Sequence, residues 1–142
     1  MKYNIYDIPE PTTAQNPLLG KNEKKVLIVL NEDGYSNHFD LLRKIIGATG
    51  LNVDQDCAIC QLSEDAYVKF SDMKNQIEIE KAIFFGIDLG KLGLQITTSK
   101  NKIILFGNIR ILQTFALSEL HADNQKKRTL WNVLKSLFPV SE

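Results

Sequence analysis

Two cysteines, two histidines, one acidic turn and one basic tripeptide are the residues whose type and spacing could do chemistry in this sequence. Cys57 and Cys60 form a C-x-x-C pair, which is half of a metal site or a redox couple. A four-thiolate site needs two more cysteines than the chain has. A redox pair sits at a helix start, where its thiol pKa is lowered. Cys57-Ala58-Ile59-Cys60-Gln61-Leu62 instead reads as a strand, in which residues three apart face opposite sides. Both cysteines are therefore expected as buried thiols, and neither a metal nor a cofactor is expected. His38 and His121 lie near Asp40 and Asp123, yet nothing in the sequence puts the two histidines together, and exposed or capping roles suit them. Asp33, in Asn31-Glu32-Asp33-Gly34, follows the first strand directly. Ligands of open parallel sheets bind at that place, so Asp33 is a candidate general base, with a plain turn carboxylate as the simpler reading. Lys126-Lys127-Arg128 opens the last helix, where the macrodipole disfavours cations. The run is a candidate anion contact, against the plainer reading of a solvated helix face. Phosphate-binding glycine loops and a nucleophile elbow are absent, and Gly90-Lys91-Leu92-Gly93 is too short to cradle a phosphate.

The elements that must position these residues follow from periodicity. Val26-Leu27-Ile28-Val29-Leu30 is an unbroken apolar run, the mark of a strand covered on both faces. Asn31 to Gly34 reads as a loop. A helix capped by Ser36 or Asn37 then runs to about Gly47, with Gly50 as its left-handed cap. Residues 57–62 and 81–86 are further strands. Phe70, Met73 and Ile77 give a modest helical spacing between them, and Asp88 to Leu92 suggests a short helix. Two apolar runs, 102–106 and 109–115, flank Gly107-Asn108 and predict a hairpin with a II′ turn. The last helix runs from about Asn124 to Leu137, ahead of Pro139. Leu130, Leu134 and Leu137 form its apolar stripe, with Trp131 beside them to clamp it on the sheet. Strands alternating with helices predict an α/β fold, a three-layer α/β/α sandwich with a mostly parallel central sheet.

At 142 residues, 44% apolar and 24% charged, the chain has the make-up of one ordinary globular domain. Its 17 acidic and 17 basic residues cancel, which argues against a global footprint for nucleic acid or anionic membrane. No apolar run reaches the roughly 20 residues of a membrane span. The opening MKYNIYDIPE lacks signal-peptide features, so a cytoplasmic location is expected. Residues 1–22 stand apart as an extension, with the domain over 23–142. Pro9, Pro11 and Pro17 interrupt helix there. Tyr3, Ile5, Tyr6 and Ile8 cluster ahead of them, either as an arm on the chain's own domain or as anchors of a partner-docking motif.

Four stretches, VLIVLNEDG, LLRKIIGATGLNVDQDCAICQL, KAIFFGIDLGKLGL and TFALSELHADNQKKRTLWNVLKSL, together resemble the uracil-DNA glycosylase fold. They are most similar to its inactive replication relative, the psi subunit family of the DNA polymerase III clamp-loader complex. Glycosylases of this type carry approximately T-Y-H-P-x-x-L-L before the last helix, then K-R and a tryptophan. Thr114, Phe115, Leu120, Lys127, Arg128 and Trp131 fit that frame, while Ala116 stands at the histidine and Leu117 at the proline. The water-activating G-E-x-P-G-like turn is reduced to Asn31-Glu32-Asp33-Gly34. Gln61-Leu62-Ser63 does not reproduce the polar end of the second strand, and the four cysteines of an iron–sulfur cluster are missing. The resemblance implies that the histidine would donate a hydrogen bond to the departing base. Losing one such donor costs about 10²–10³ in rate.

It therefore implies a non-enzymatic accessory protein of the replicative polymerase, acting through protein–protein contacts. Its partners are clamp-loader or other replication proteins, with DNA contact weak and no membrane. In the psi family an extension ahead of the domain binds the clamp-loader ring and the domain binds the small chi subunit. Here the matching extension is residues 1–22, with Tyr3, Ile5, Tyr6 and Ile8 as anchors. Asn31, Asp33, Gly34 and Ala116 would mark a vestigial pocket. The alternatives are a divergent glycosylase that uses Asp33 and the Lys127–Arg128 pair, and a module binding a nucleobase or nucleotide in that pocket.

Overall fold

The unbroken apolar runs become the strands of a six-stranded mixed sheet in the computed structural model, which describes residues 18–62, 69–87, 89, 93 and 100–138. In chain order the strands are β1 (Leu18–Leu19), β2 (Val26–Asn31), β3 (Cys57–Leu62), β4 (Lys81–Phe85), β5 (Lys102–Phe106) and β6 (Ile109–Thr114). They lie in the order β1-β3-β2-β4-β6-β5. β3, β2, β4 and β6 are mutually parallel, and the edge strands β1 and β5 run antiparallel to their neighbours. β2 sits between two parallel partners, and all five residues of its apolar run are buried. A strand covered on both faces has no need of polar alternation.

Alternate residues feed two cores. Val26, Ile28 and Leu30 meet Leu42 and Ile46, and the same cluster holds Leu117 and Leu134. Leu27 and Val29 face the other way, with Phe70, Met73 and Phe84. The first layer is built from α1 (Glu32–Asn37), α2 (Phe39–Ala48), α3 (Val53–Asp56), α5 (Leu117–Ala122) and α6 (Asn124–Leu137). The second holds α4 (Phe70–Gln76), together with Ile87 and Leu89. The α/β class and its layering follow the sequence reading. Cys57 falls in one core and Cys60 in the other, as residues three apart in a strand must. No helix among the described residues is long and apolar enough to cross a membrane.

Four local expectations are corrected. Asn31-Glu32-Asp33-Gly34 is not a loop but the start of a helix: Asn31 is extended (φ −85°, ψ 176°) and its side-chain oxygen accepts from Gly34 N–H at 2.7 Å. The residue types of a turn are also those of an N-cap and first turn. Helix α1 then breaks at His38 (φ −130°), and α2 begins at Phe39, so neither Ser36 nor Asn37 caps it. The body also begins before residue 23. Leu18 and Leu19 pair with Cys60 and Ile59, and backbone N–H groups of Lys21 to Lys24 donate to carbonyls of residues 54–57. Gly20 makes this approach possible at φ +90°, since a Cβ there would lie 2.3 Å from the Cys57 carbonyl oxygen.

The last quarter holds a second helix, α5, ahead of the expected one. α6 is capped by Asp123, whose carboxylate accepts from Gln125 and Lys126 N–H at 2.9 and 3.3 Å. Trp131 does not clamp α6 onto the sheet. Leu130, Leu134 and Leu137 complete the buried stripe without it, and Trp131 stays 36% exposed on the flank. Gly50 and the Gly107 turn are left-handed as read, at φ +91° and +63°. The short helix expected over 88–92 falls largely outside the described residues, as do Gly90, Lys91 and Leu92.

Candidate functional site

The carboxyl ends of β2, β4 and β6 place Asn31, Gly86 and Thr114 beside the start of α5. Three of the four proposed pocket residues converge on this corner, where the described backbones pack closely. A Cβ placed on Gly34 would lie 3.1 Å from Asn31 Oδ1 and 3.3 Å from Leu117 Cδ1. Gly86, at φ +71°, is tighter: a Cβ there would lie 2.6 Å from Ala116 Cβ and 2.8 Å from its Cα. Gly86 N–H donates to the Thr114 carbonyl at 2.9 Å, which fixes this approach. Ala116 begins α5 in extended geometry without a side-chain acceptor. Only the reciprocal half of a capping box forms, in which Ala116 N–H donates to Glu119 Oε1 at 3.2 Å. Asn31 spends its side-chain oxygen on the α1 cap.

Asp33 turns to its own helix. Its Oδ1 accepts from Asn37 Nδ2 at 2.8 Å, and Oδ2 lies 3.6 Å from His38 Nε2. The structure does bring the histidines together, against the expectation of separate roles. The His38 and His121 ring centroids are 5.2 Å apart at 43°. The break at His38 and the short α5 create this contact. Both depend on tertiary packing, so no local pattern announces it.

The basic tripeptide is splayed. A helix turns about 100° per residue, so three consecutive side chains cannot share one patch. Lys126 Nζ stands 4.4 Å from the Phe115 ring centroid and 3.9 Å from Glu119 Oε2. Lys100 Nζ approaches the same ring at 5.5 Å, and each such contact is worth about 0.5–1 kcal/mol where exposed. Lys127 points instead to a groove on the outer layer, and Arg128 is exposed. Tyr3, Ile5, Tyr6 and Ile8 lie outside the described residues.

That groove has no counterpart among the expected sites. It lies between α2 and α6 and holds about 300 Å³, with walls of Leu41, Ile45 and Ala48 on one side and Leu130, Trp131 and Leu134 on the other. Lys44 and Lys127 are the charged residues that line it. Trp131, on the exposed flank of the leucine stripe, is its one sign in the sequence.

The cysteines are inert where they stand. Burial pushes the Cys57 thiol up to about 12, helped by Asp56 and Asp54, and the Cys60 thiol up to about 11. Neither offers a thiolate near neutral pH. Among the described residues, no group of three histidine, cysteine or acidic side chains is placed to hold a metal ion. No family model matches the chain, and no curated protein matches it.

Proposed function

We propose that the chain is a non-enzymatic docking protein of the replicative polymerase's clamp-loader assembly, psi-like, built on a glycosylase-like α/β/α scaffold. The observation that carries this reading is the corner at Ala116. A glycosylase of the resembled type needs a hydrogen-bond donor there and space for an extruded base. This chain has a methyl group packed on Gly86, with Leu117 over Gly34. The parallel strand core with helices on both faces agrees with the scaffold. Tyr3, Ile5, Tyr6 and Ile8 supply anchors on the extension.

Affinity purification of the tagged full-length protein tests the reading. Clamp-loader subunits co-purify with it and are lost when residues 1–17 are removed. The deletion stops at Pro17 because Leu18 and Leu19 belong to the sheet. Full-length protein that never retains a clamp-loader subunit overturns the proposal.

A further inference from the structure

The α2–α6 groove joins an apolar floor to two lysines, Lys44 and Lys127. The chain as a whole is balanced, yet α6 carries Lys126, Lys127, Arg128 and Lys135 and no acidic residue. Lys127 lines the groove, and Lys135 Nζ lies 5.8 Å from the Trp131 ring centroid. Lys44 faces them from α2, whose Arg43 is already engaged by Asp54 at 2.6 Å. Among the described residues neither Lys44 nor Lys127 forms an ion pair. The occupant that suits this surface is a short segment with closely spaced aromatic and aliphatic anchors and negative charge among them.

One segment of this same chain has that chemistry. Tyr3, Ile5, Tyr6 and Ile8 are interleaved with Asp7 and followed by Glu10. The described residues begin near the end of the sheet where the groove opens. Leu18 pairs with Cys60 and Leu19 with Ile59, antiparallel, so Leu18 is the end of β1 nearer the carboxyl ends of the parallel strands. α2 follows β2, and α6 follows β6 through α5, so Leu41 and Lys127 open the groove at that same end. Crossing β3 and β2 and rising one layer is a path of about 20 Å. Residues 9–17, extended, span up to about 30 Å.

We propose that residues 3–8 dock in the α2–α6 groove of their own molecule, their tyrosines and isoleucines covering Trp131 and Ile45, and Asp7, with Glu10 at the start of the tether, facing Lys44 and Lys127. The proline-rich residues 9–17 are the tether. Joined by so short a tether, the segment meets the groove at an effective concentration in the millimolar range. Modest contacts therefore suffice. Taken with the docking function proposed above, on which this clause alone rests, a partner that captures the segment must draw it out of the groove.

Trp131 is the chain's single tryptophan, so its emission reports the groove directly. The full-length protein is compared with a full-length variant carrying Tyr3→Ser, Ile5→Ser, Tyr6→Ser and Ile8→Ser. Docking requires a red-shifted emission maximum and readier acrylamide quenching in the variant. Lys127→Glu produces the same shift, and adding Asp7→Lys to it reverses the shift, because the charges are exchanged rather than lost. The exchange pair decides the matter if the serine variant loses its far-UV dichroism. Superimposable emission and quenching across these proteins overturns the proposal. So does a shift that follows protein concentration with a doubled mass in light scattering, which assigns the groove to a second copy. Neither readout involves a clamp-loader subunit, so a failed co-purification leaves this test untouched.

Discussion

Gly86→Ala probes the close approach of Gly86 and Ala116 most directly. The new methyl group would stand 2.6 Å from Ala116 Cβ, 2.8 Å from its Cα and 3.1 Å from its nitrogen. Backbone atoms cannot rotate aside as the end of a long side chain can. The residue must also hold φ +71°, which costs an L-residue roughly 1–2 kcal/mol. Overpacking adds about 1–3 kcal/mol, so the expected loss is about 2–5 kcal/mol. Gly107→Ala is the control. Its φ is also positive, at +63°, but nothing lies within 4 Å of the added Cβ, so only the conformational cost of about 1–2 kcal/mol applies. Urea unfolding followed by far-UV circular dichroism measures both, with the slope unchanged and the midpoint lowered. In a domain of this size each kcal/mol is worth roughly 3 °C of melting temperature. Adding Ala116→Gly to Gly86→Ala removes the methyl–methyl clash and leaves the contact with Cα, so stability returns in part. If Gly86→Ala costs no more than Gly107→Ala, the chain at Phe115–Ala116 yields freely. The Gly86–Ala116 approach is then not tight, and the support for a non-enzymatic reading is gone.

Other substitutions separate the core from the flank. Leu134→Ala, in the buried stripe of α6, should cost about 2–5 kcal/mol, and Trp131→Ala, on the exposed flank, about 1 kcal/mol; equal costs in urea would put the tryptophan in the core after all. Asn31→Ala and Asp123→Ala each remove an N-cap acceptor and should lower stability by about 0.5–2 kcal/mol in the same assay. Cys57 and Cys60 should react with a thiol reagent only on unfolding. Their folded pKa values, about 12 and about 11, lie above the roughly 8.5 of an unfolded thiol. The unfolded chain therefore loses these protons first as pH rises. The contribution to stability is whole below about pH 8.5 and shrinks as pH climbs towards the folded values. A urea midpoint that rose across that interval would contradict the burial of both thiols.

What the sequence revealed depended on how far burial alone dictated the pattern. β2 and β4 were legible because strands covered on both faces have little choice but a continuous apolar run. The hairpin was legible because Gly107 marks its turn. Asn31 to Gly34 was not legible because one set of small polar residues serves both a turn and a helix start, and only the fate of the Asn31 oxygen tells them apart. β1 has two residues, too few to show any period. Its presence comes from Gly20 and the carbonyls of α3 and β3. The candidate site was harder. The spacing of Leu130, Leu134 and Leu137 defines the centre of a buried arc and leaves open which neighbour covers its edge. The separation of α2 from α6 decided that Trp131 lines a groove. The approach of His38 to His121 joins residues from two distant elements, and neither histidine carries a local sign of the other.

The cations of α6 sharpen the question of what that groove holds. A positive charge in the first turn of a helix opposes the macrodipole, at roughly 0.3–1 kcal/mol for each exposed group. Lys126 is compensated by the Phe115 ring, Glu119 and the Asp123 cap beside it. Lys127 has no such partner among the described residues, yet it stands at the end of the same turn and over the groove. Lys127→Gln therefore has two opposite outcomes. With an empty groove, relief of the dipole should raise the urea midpoint of the full chain slightly. With Asp7 and Glu10 seated beside it, the lost attraction should lower the midpoint, and raising the salt concentration should erase the difference. Arg128→Gln, one residue further along and exposed, is the reference that lacks the groove. A lowered midpoint for Lys127→Gln alone is what a cis-docked segment requires. Matching changes for the two variants would leave Lys127 an ordinary surface charge.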